Sequence, residues 1–153
     1  MKKISAALLG LAMLLSACAP TSGVANPNPL GSMFGSQRVS LPAEYATLQN
    51  PISSSSESIT RGRQSYMLLC VSCHGETGEG DGIGADGLNP RPAALSATLR
   101  MRSDAYLFYR IAEGGNFDPY NSAMIAFKDV LREDQRWDLV NFLRTLGGFG
   151  MMQ

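Results

Sequence analysis

The 153-residue chain has one histidine, one tryptophan, three cysteines and three lysines. A single imidazole excludes any metal site built on two histidines of the same chain. Three cysteines are an odd number, so a disulfide framework would leave one thiol over. Surplus charge is missing too: 13 basic residues balance 13 acidic ones, which leaves no basic footprint for nucleic acid. The longest apolar stretch, residues 4–15, falls short of the roughly 20 residues that a membrane-spanning helix needs. What remains is a chain 44% hydrophobic and 17% charged. That composition buries a core and is too apolar for disorder throughout, and the length suits one domain.

The apolar stretch follows Lys2 and Lys3, in the manner of a secretory signal. It ends in Leu15-Ser16-Ala17-Cys18, which resembles the lipobox of bacterial lipoproteins. The resemblance implies that residues 1–17 are removed and that Cys18 becomes a lipidated N-terminus. The mature chain would then sit on the extracytoplasmic face of a bacterial membrane. Each buried CH₂ of the lipid contributes about 0.8 kcal/mol to such an anchor. The plainer alternative is an ordinary secretory signal, with Cys18 incidental. Loss of residues 1–17 leaves 11 basic against 13 acidic residues, and Lys128 as the sole lysine among ten arginines.

From residue 18 to about residue 57 the chain is rich in turn formers: Thr21-Ser22-Gly23, Asn26-Pro27-Asn28-Pro29, Gly31-Ser32 and Ser53 to Ser56. This composition predicts a flexible tether with a reach of roughly 35 Å. The scattered apolar residues Met33, Phe34, Leu41, Tyr45 and Leu48 admit an alternative, in which the segment lies along a partner protein.

Cys70-Val71-Ser72-Cys73-His74 is the segment that uses the two remaining cysteines and the only histidine. Two thiols three positions apart with histidine next to them form the covalent haem-attachment pattern. Each thiol bonds one vinyl group on the same porphyrin edge, and the intervening pair of residues spans the distance between the vinyls. The histidine then falls beneath the iron as its proximal ligand. Zinc needs about four ligands, more than the chain supplies. A thioredoxin-like pair wants strand-helix-strand surroundings, whereas residues 59–69 read as a helix with Thr60 as a possible cap.

The motif, together with Arg61-Gly62-Arg63, Gly78-Glu79-Gly80-Asp81-Gly82 and Pro90-Arg91-Pro92-Ala93-Ala94-Leu95, resembles a class I, mitochondrial-type bacterial cytochrome c domain over residues 57–148. The resemblance implies an all-α fold with three main helices around one covalently bound haem c, in a domain covering residues 58–150. Two further helices are legible without it. Residues 103–113 start at Ser103-Asp104, place Leu107 and Ile111 on one face, and stop at Gly114-Gly115. Residues 132–146 have acidic residues in the first turn, Arg144 in the last, and Gly147-Gly148 beyond. Gly62 and Phe142 resemble the small-large contact where the family's terminal helices cross. Arg132 stands where relatives often carry a Ser or Thr cap, a departure expected to cost about 1 kcal/mol.

With no second histidine, the sixth iron position falls to methionine, the usual ligand in small electron carriers. Asn121-Ser122-Ala123-Met124-Ile125-Ala126-Phe127 resembles the family's Met-Pro-Ala-Phe loop. The resemblance makes Met124 the ligand and Phe127 a cover for the haem edge. Ile125 replaces the usual proline, so the loop is less fixed in φ. Met101 is the rival; Met67 lies too near the motif, and Met33, Met151 and Met152 lie in the tether or after the last helix. The family also uses a proline carbonyl to accept the proximal histidine's ring N–H, which points to Pro92, with Pro90 next. Arg100 or Arg102 would pair with the haem propionates, and Trp137 reads as a packing residue.

The function implied is one-electron transfer near a membrane between redox protein partners, with no catalysis of its own. Two other readings stand beside it: a fixed subunit of a larger quinol-oxidising respiratory complex, and a haem enzyme or gas sensor with an open iron position.

Overall fold

The computed structural model describes residues 40–147. Cys18, the signal segment, and Met33, Met151 and Met152 lie outside the described residues. Within them the chain is helical and contains no strand. The helices are α1 (Ala43–Ala46), α2 (Ser56–Leu69), α3 (Val71–His74), α4 (Leu95–Met101), α5 (Asp104–Glu113) and α6 (Glu133–Leu146), with a 3₁₀ turn at Ile83–Ala85. The expected long helices are α2, α5 and α6; α1, α3 and α4 are short additions.

Helix α2 starts earlier than its periodicity suggested. Ser55 is the cap, its side chain accepting the Ser58 N–H at 3.3 Å, as the geometry of N-caps requires. Thr60, the expected cap, is already inside the helix and donates its hydroxyl to the Ser56 carbonyl at 2.7 Å. The buried residues of α2 are Ser58, Gly62 and Tyr66, spaced by four and therefore on one stripe. That stripe meets α6, which buries residues 137–143. At the crossing, a methyl group on Gly62 would run into the Asp138 carbonyl oxygen and lie 2.8 Å from Phe142 Cβ. The anticipated small-large contact is therefore real, and it brings backbone against backbone.

Beside the crossing lies a buried polar network. Asp138, 2% exposed, accepts from Ser58 Oγ at 2.6 Å and from Arg61 Nε and Nη2 at 2.6 and 2.9 Å. Asn141 Nδ2 donates to Ser58 Oγ at 2.8 Å, and Asn50 Nδ2 donates to Asn141 Oδ1 at 2.8 Å. Every member has a partner, the condition under which a buried network rigidifies instead of costing stability.

The Asn50 bond belongs to a larger correction. Residues 42–52, expected in the tether, are part of the domain. Tyr45, Leu48 and Ile52 pack on the hydrophobic core. The Tyr45 ring meets Tyr109 edge-on at 5.0 Å. Its hydroxyl donates to Glu113 Oε1 at 2.5 Å, and Glu113 also holds Lys128 at 2.8 Å. The turn-rich composition hid three apolar side chains whose burial outweighs the weak local structure.

Helix α5 matches its expectation: Ser103 caps it by accepting the Tyr106 N–H, and it ends at Gly114 with φ +69°. Helix α6 has Arg132 at its N-cap, but the deficit is partly offset because Gln135 Oε1 accepts the Arg132 N–H at 3.1 Å. At the other end Arg144 binds Asp104 and the carbonyls of Leu99 and Arg102, tying α6 to α4 and to the start of α5. Trp137 is the packing residue expected, 1% exposed and stacked on Phe108 at 4.0 Å.

Candidate functional site

The site grows from the end of α2. Cys70 closes that helix with its N–H on the Tyr66 carbonyl, and the next turn, α3, follows directly, with the His74 N–H on the Cys70 carbonyl at 2.9 Å. Both thiols of the motif are free and half-buried. Gly75 then turns the chain out at φ +76°, a conformation costly for any residue with a Cβ. Its carbonyl accepts the hydroxyl of fully buried Tyr66 at 2.6 Å, which fastens the exit of the motif back to α2. The acidic, glycine-rich loop folds over the motif backbone, with the Gly80 N–H on the His74 carbonyl and the Gly82 N–H on the Cys73 carbonyl. A side chain at Gly82 would collide with the Ser72 carbonyl, so this close approach needs glycine.

His74 Nδ1 lies 3.3 Å from the Ala93 carbonyl oxygen. A carbonyl only accepts, so Nδ1 carries the proton and Nε2 keeps its lone pair for a metal. Burial lowers the imidazole pKa, and the Ala93 bond opposes that shift, so the ring is neutral at neutral pH. The expected acceptor, Pro92, is one residue off. Its carbonyl oxygen lies instead where a Cβ of Gly80 would stand. Burial, and then the neighbouring Cys73, push the Cys70 thiol up to about 12, so it stays protonated at neutral pH.

The loop with Met124 is held at both ends by backbone bonds to the end of α5. The Gly115 N–H meets the Met124 carbonyl at 2.8 Å, and the Ser122 N–H meets the Gly115 carbonyl at 2.8 Å. The Phe127 N–H reaches the Ile111 carbonyl at 3.0 Å, and Lys128 that of Ala112 at 3.1 Å. Thus the missing proline is compensated from outside the loop, and Ile125 is exposed. Phe127 is buried in the core. Met124 is half-buried, whereas its rival Met101 is 82% exposed at the end of α4.

Neither expected propionate partner is buried. Arg100 is exposed, and Arg102 lies over the Tyr106 ring at 4.6 Å. The sequence reading missed Arg110. Its guanidinium covers the Tyr120 ring at 3.4 Å and its Nη2 is 3.9 Å from Met124 Sδ. Arg110 Nη1, Tyr120 Oη and Trp137 Nε1 are buried with no hydrogen-bond partner in the chain. One signal was available: Arg110 is the only charged residue in the otherwise hydrophobic run 105–112.

This donor set fits a haem: two free thiols at the attachment spacing, an imidazole with Nε2 available, and buried polar hydrogens left for a further polar group. Among the described residues, no group of three or more His, Cys, Asp or Glu side chains is placed to hold a metal ion.

A family model described as cytochrome c matches residues 59–147. The chain is similar to a solved structure from the Kuenenia stuttgartiensis reducing HAO-like protein complex Kustc0457/Kustc0458, at 23% identity and a TM-score of 0.52. That match covers 65% of this chain and 49% of the other, so the chain spans about half the length of that relative. A second similar structure is the KustC0563 c-type cytochrome, at 26% identity and a TM-score of 0.45, covering 57% of this chain and 95% of that one. No curated protein matches. With the helical fold, the attachment motif and a family model spanning more than half of its length, the chain belongs to the cytochrome c family and carries covalently attached haem c.

Proposed function

We propose that the protein is a membrane-anchored electron carrier, with its haem held by Cys70 and Cys73 and its iron bound by His74 Nε2 and Met124 Sδ. The observation that carries this reading is the His74 bond to Ala93, which leaves Nε2 free directly beside two unpaired thiols. Haem supplies the one-electron ferric/ferrous couple. Cys70 and Cys73 would hold the haem through two thioethers, each S–H having added across one vinyl group with no net oxidation. His74 donates from a ring fixed in tautomer by Ala93. Met124 would donate from a loop tied to α5, and with His74 it would leave the iron no open position for small molecules. Cys18 carries the lipid and sets the domain on the extracytoplasmic face of the membrane. Tyr45, Leu48 and Ile52 pack on the core, so residues 42–52 belong to the domain rather than to the expected tether.

The experiment joins fractionation to spectroscopy. Wild-type protein is expected in the membrane fraction, with the weak red-edge absorption band of methionine-ligated ferric haem. Cys18→Ser moves it to the soluble fraction. Met124→Ala abolishes the band and opens the ferrous form to carbon monoxide. A wild-type protein that lacks the band and binds carbon monoxide readily contradicts the ligand assignment and favours an open-site haem protein.

Docking follows from what the surface presents. Lys128 is engaged by Glu113, so no lysine ring steers a partner. Large apolar side chains, Leu68, Ile83, Ile125 and Val130 among them, are exposed. Electron-transfer rates with the physiological partner are therefore expected to change little as salt rises, measured by stopped flow. A steep fall with ionic strength contradicts apolar docking. The same surface gives some support to a second reading, a fixed subunit of a larger respiratory complex, which stoichiometric co-purification would favour.

A further inference from the structure

Arg110 is a half-buried cation on the face of α5 that turns toward the methionine loop. Ion pairs among the described residues engage Arg61, Arg91, Lys128, Arg132 and Arg144; none neutralises Arg110. Its guanidinium is held instead by the Tyr120 ring at 3.4 Å, and its Nη2 points at Met124 Sδ from 3.9 Å. The chain makes room for it: a Cβ on Gly115 would lie 2.7 Å from Nη2. Nη1 is buried with no partner. Desolvating an unpaired guanidinium nitrogen is expensive, and no group of the chain compensates Nη1.

We propose that Arg110 is a positioning residue for electron transfer, gripping the sulfur of Met124 and placing an uncompensated positive charge beside the iron's methionine side. This rests on Met124 being the axial ligand. Both parts act in one direction. A positive charge favours the iron state with one charge fewer, the ferrous form. An N–H aimed at the sulfur draws electron density from it and weakens donation to ferric iron. The cation–π contact with Tyr120 holds the guanidinium in place, so the grip replaces part of the restraint that a proline at position 125 would provide.

The test is a spectroelectrochemical titration of the haem-loaded protein as wild type, Arg110→Gln and Arg110→Lys, with covalent haem confirmed by staining on denaturing gels. Arg110→Gln is expected to shift the equilibrium about tenfold toward the oxidised form, which is about 59 mV for one electron. Arg110→Lys keeps the charge and should recover at least half of the potential shift. The inference is overturned if Arg110→Gln leaves the potential unchanged, or if Arg110→Lys is as low as Arg110→Gln. The two readings fail separately: a wild type without the band removes Met124 as ligand. A wild type whose band is lost in Met124→Ala, with an unmoved Arg110→Gln potential, removes only the role of Arg110.

Discussion

The double variant Cys70→Ala/Cys73→Ala is expected to carry no covalent haem at all. The thiols are the only groups in the motif that form carbon–sulfur bonds, and among the described residues they are the only cysteines. Denaturing gels stained for haem peroxidase activity should lose the signal completely. Each single variant should keep a weaker band through its one remaining thioether. The loss reaches beyond the cofactor. Anything that binds only the folded state adds to its stability by mass action, and a covalently held haem acts on the folded chain in the same sense. The double variant should therefore also melt lower and be cleared faster by proteases. Haem that survives denaturation of the double variant would place the attachment elsewhere.

Gly62→Ala is expected to be strongly destabilising although it adds only one methyl group. Alanine normally improves a helix interior by about 1 kcal/mol over glycine. Here that gain is outweighed, because the added carbon meets the Asp138 carbonyl, and a backbone atom on a packed helix cannot rotate away. Helices α2 and α6 must separate, and the separation breaks Ser58–Asp138 and loosens Tyr66 against Phe142, whose rings lie 5.2 Å apart. Overpacking of this kind costs about 3 kcal/mol, roughly 12–20 °C in melting temperature for a domain of this size. Gly87→Ala is the control. A methyl there meets nothing within 4 Å, and only its φ of +79° is unfavourable, which costs about 1 kcal/mol. Equal melting points for the two variants would show that the α2–α6 crossing is looser than its geometry indicates.

Much of the fold was legible because its signals are local. Ser103 and the Gly114-Gly115 stop bounded α5 correctly, since capping and termination depend on neighbouring residues. The Gly62–Phe142 contact was reached through family resemblance, and it holds. Residues 42–52 were misread for the opposite reason. Their own composition is that of a linker, and only the packing of Tyr45, Leu48 and Ile52 on the distant hydrophobic core makes them part of the domain. Arg110 was overlooked for a related cause: on a helix of apolar residues it resembles a solvated side chain until Tyr120 and Met124 are seen around it.

The reactive chemistry of this protein was thus already written in five consecutive residues. Thiol spacing and an adjacent imidazole are covalent facts of the chain, and no fold changes them. Tertiary structure alone selected the Ala93 carbonyl over Pro92 for the imidazole, 19 residues away. It also set Arg110 against the sulfur of Met124, 14 residues on. Those contacts depend on the directions in which carbonyls and side chains leave a folded backbone, and a linear string of residue types does not contain them.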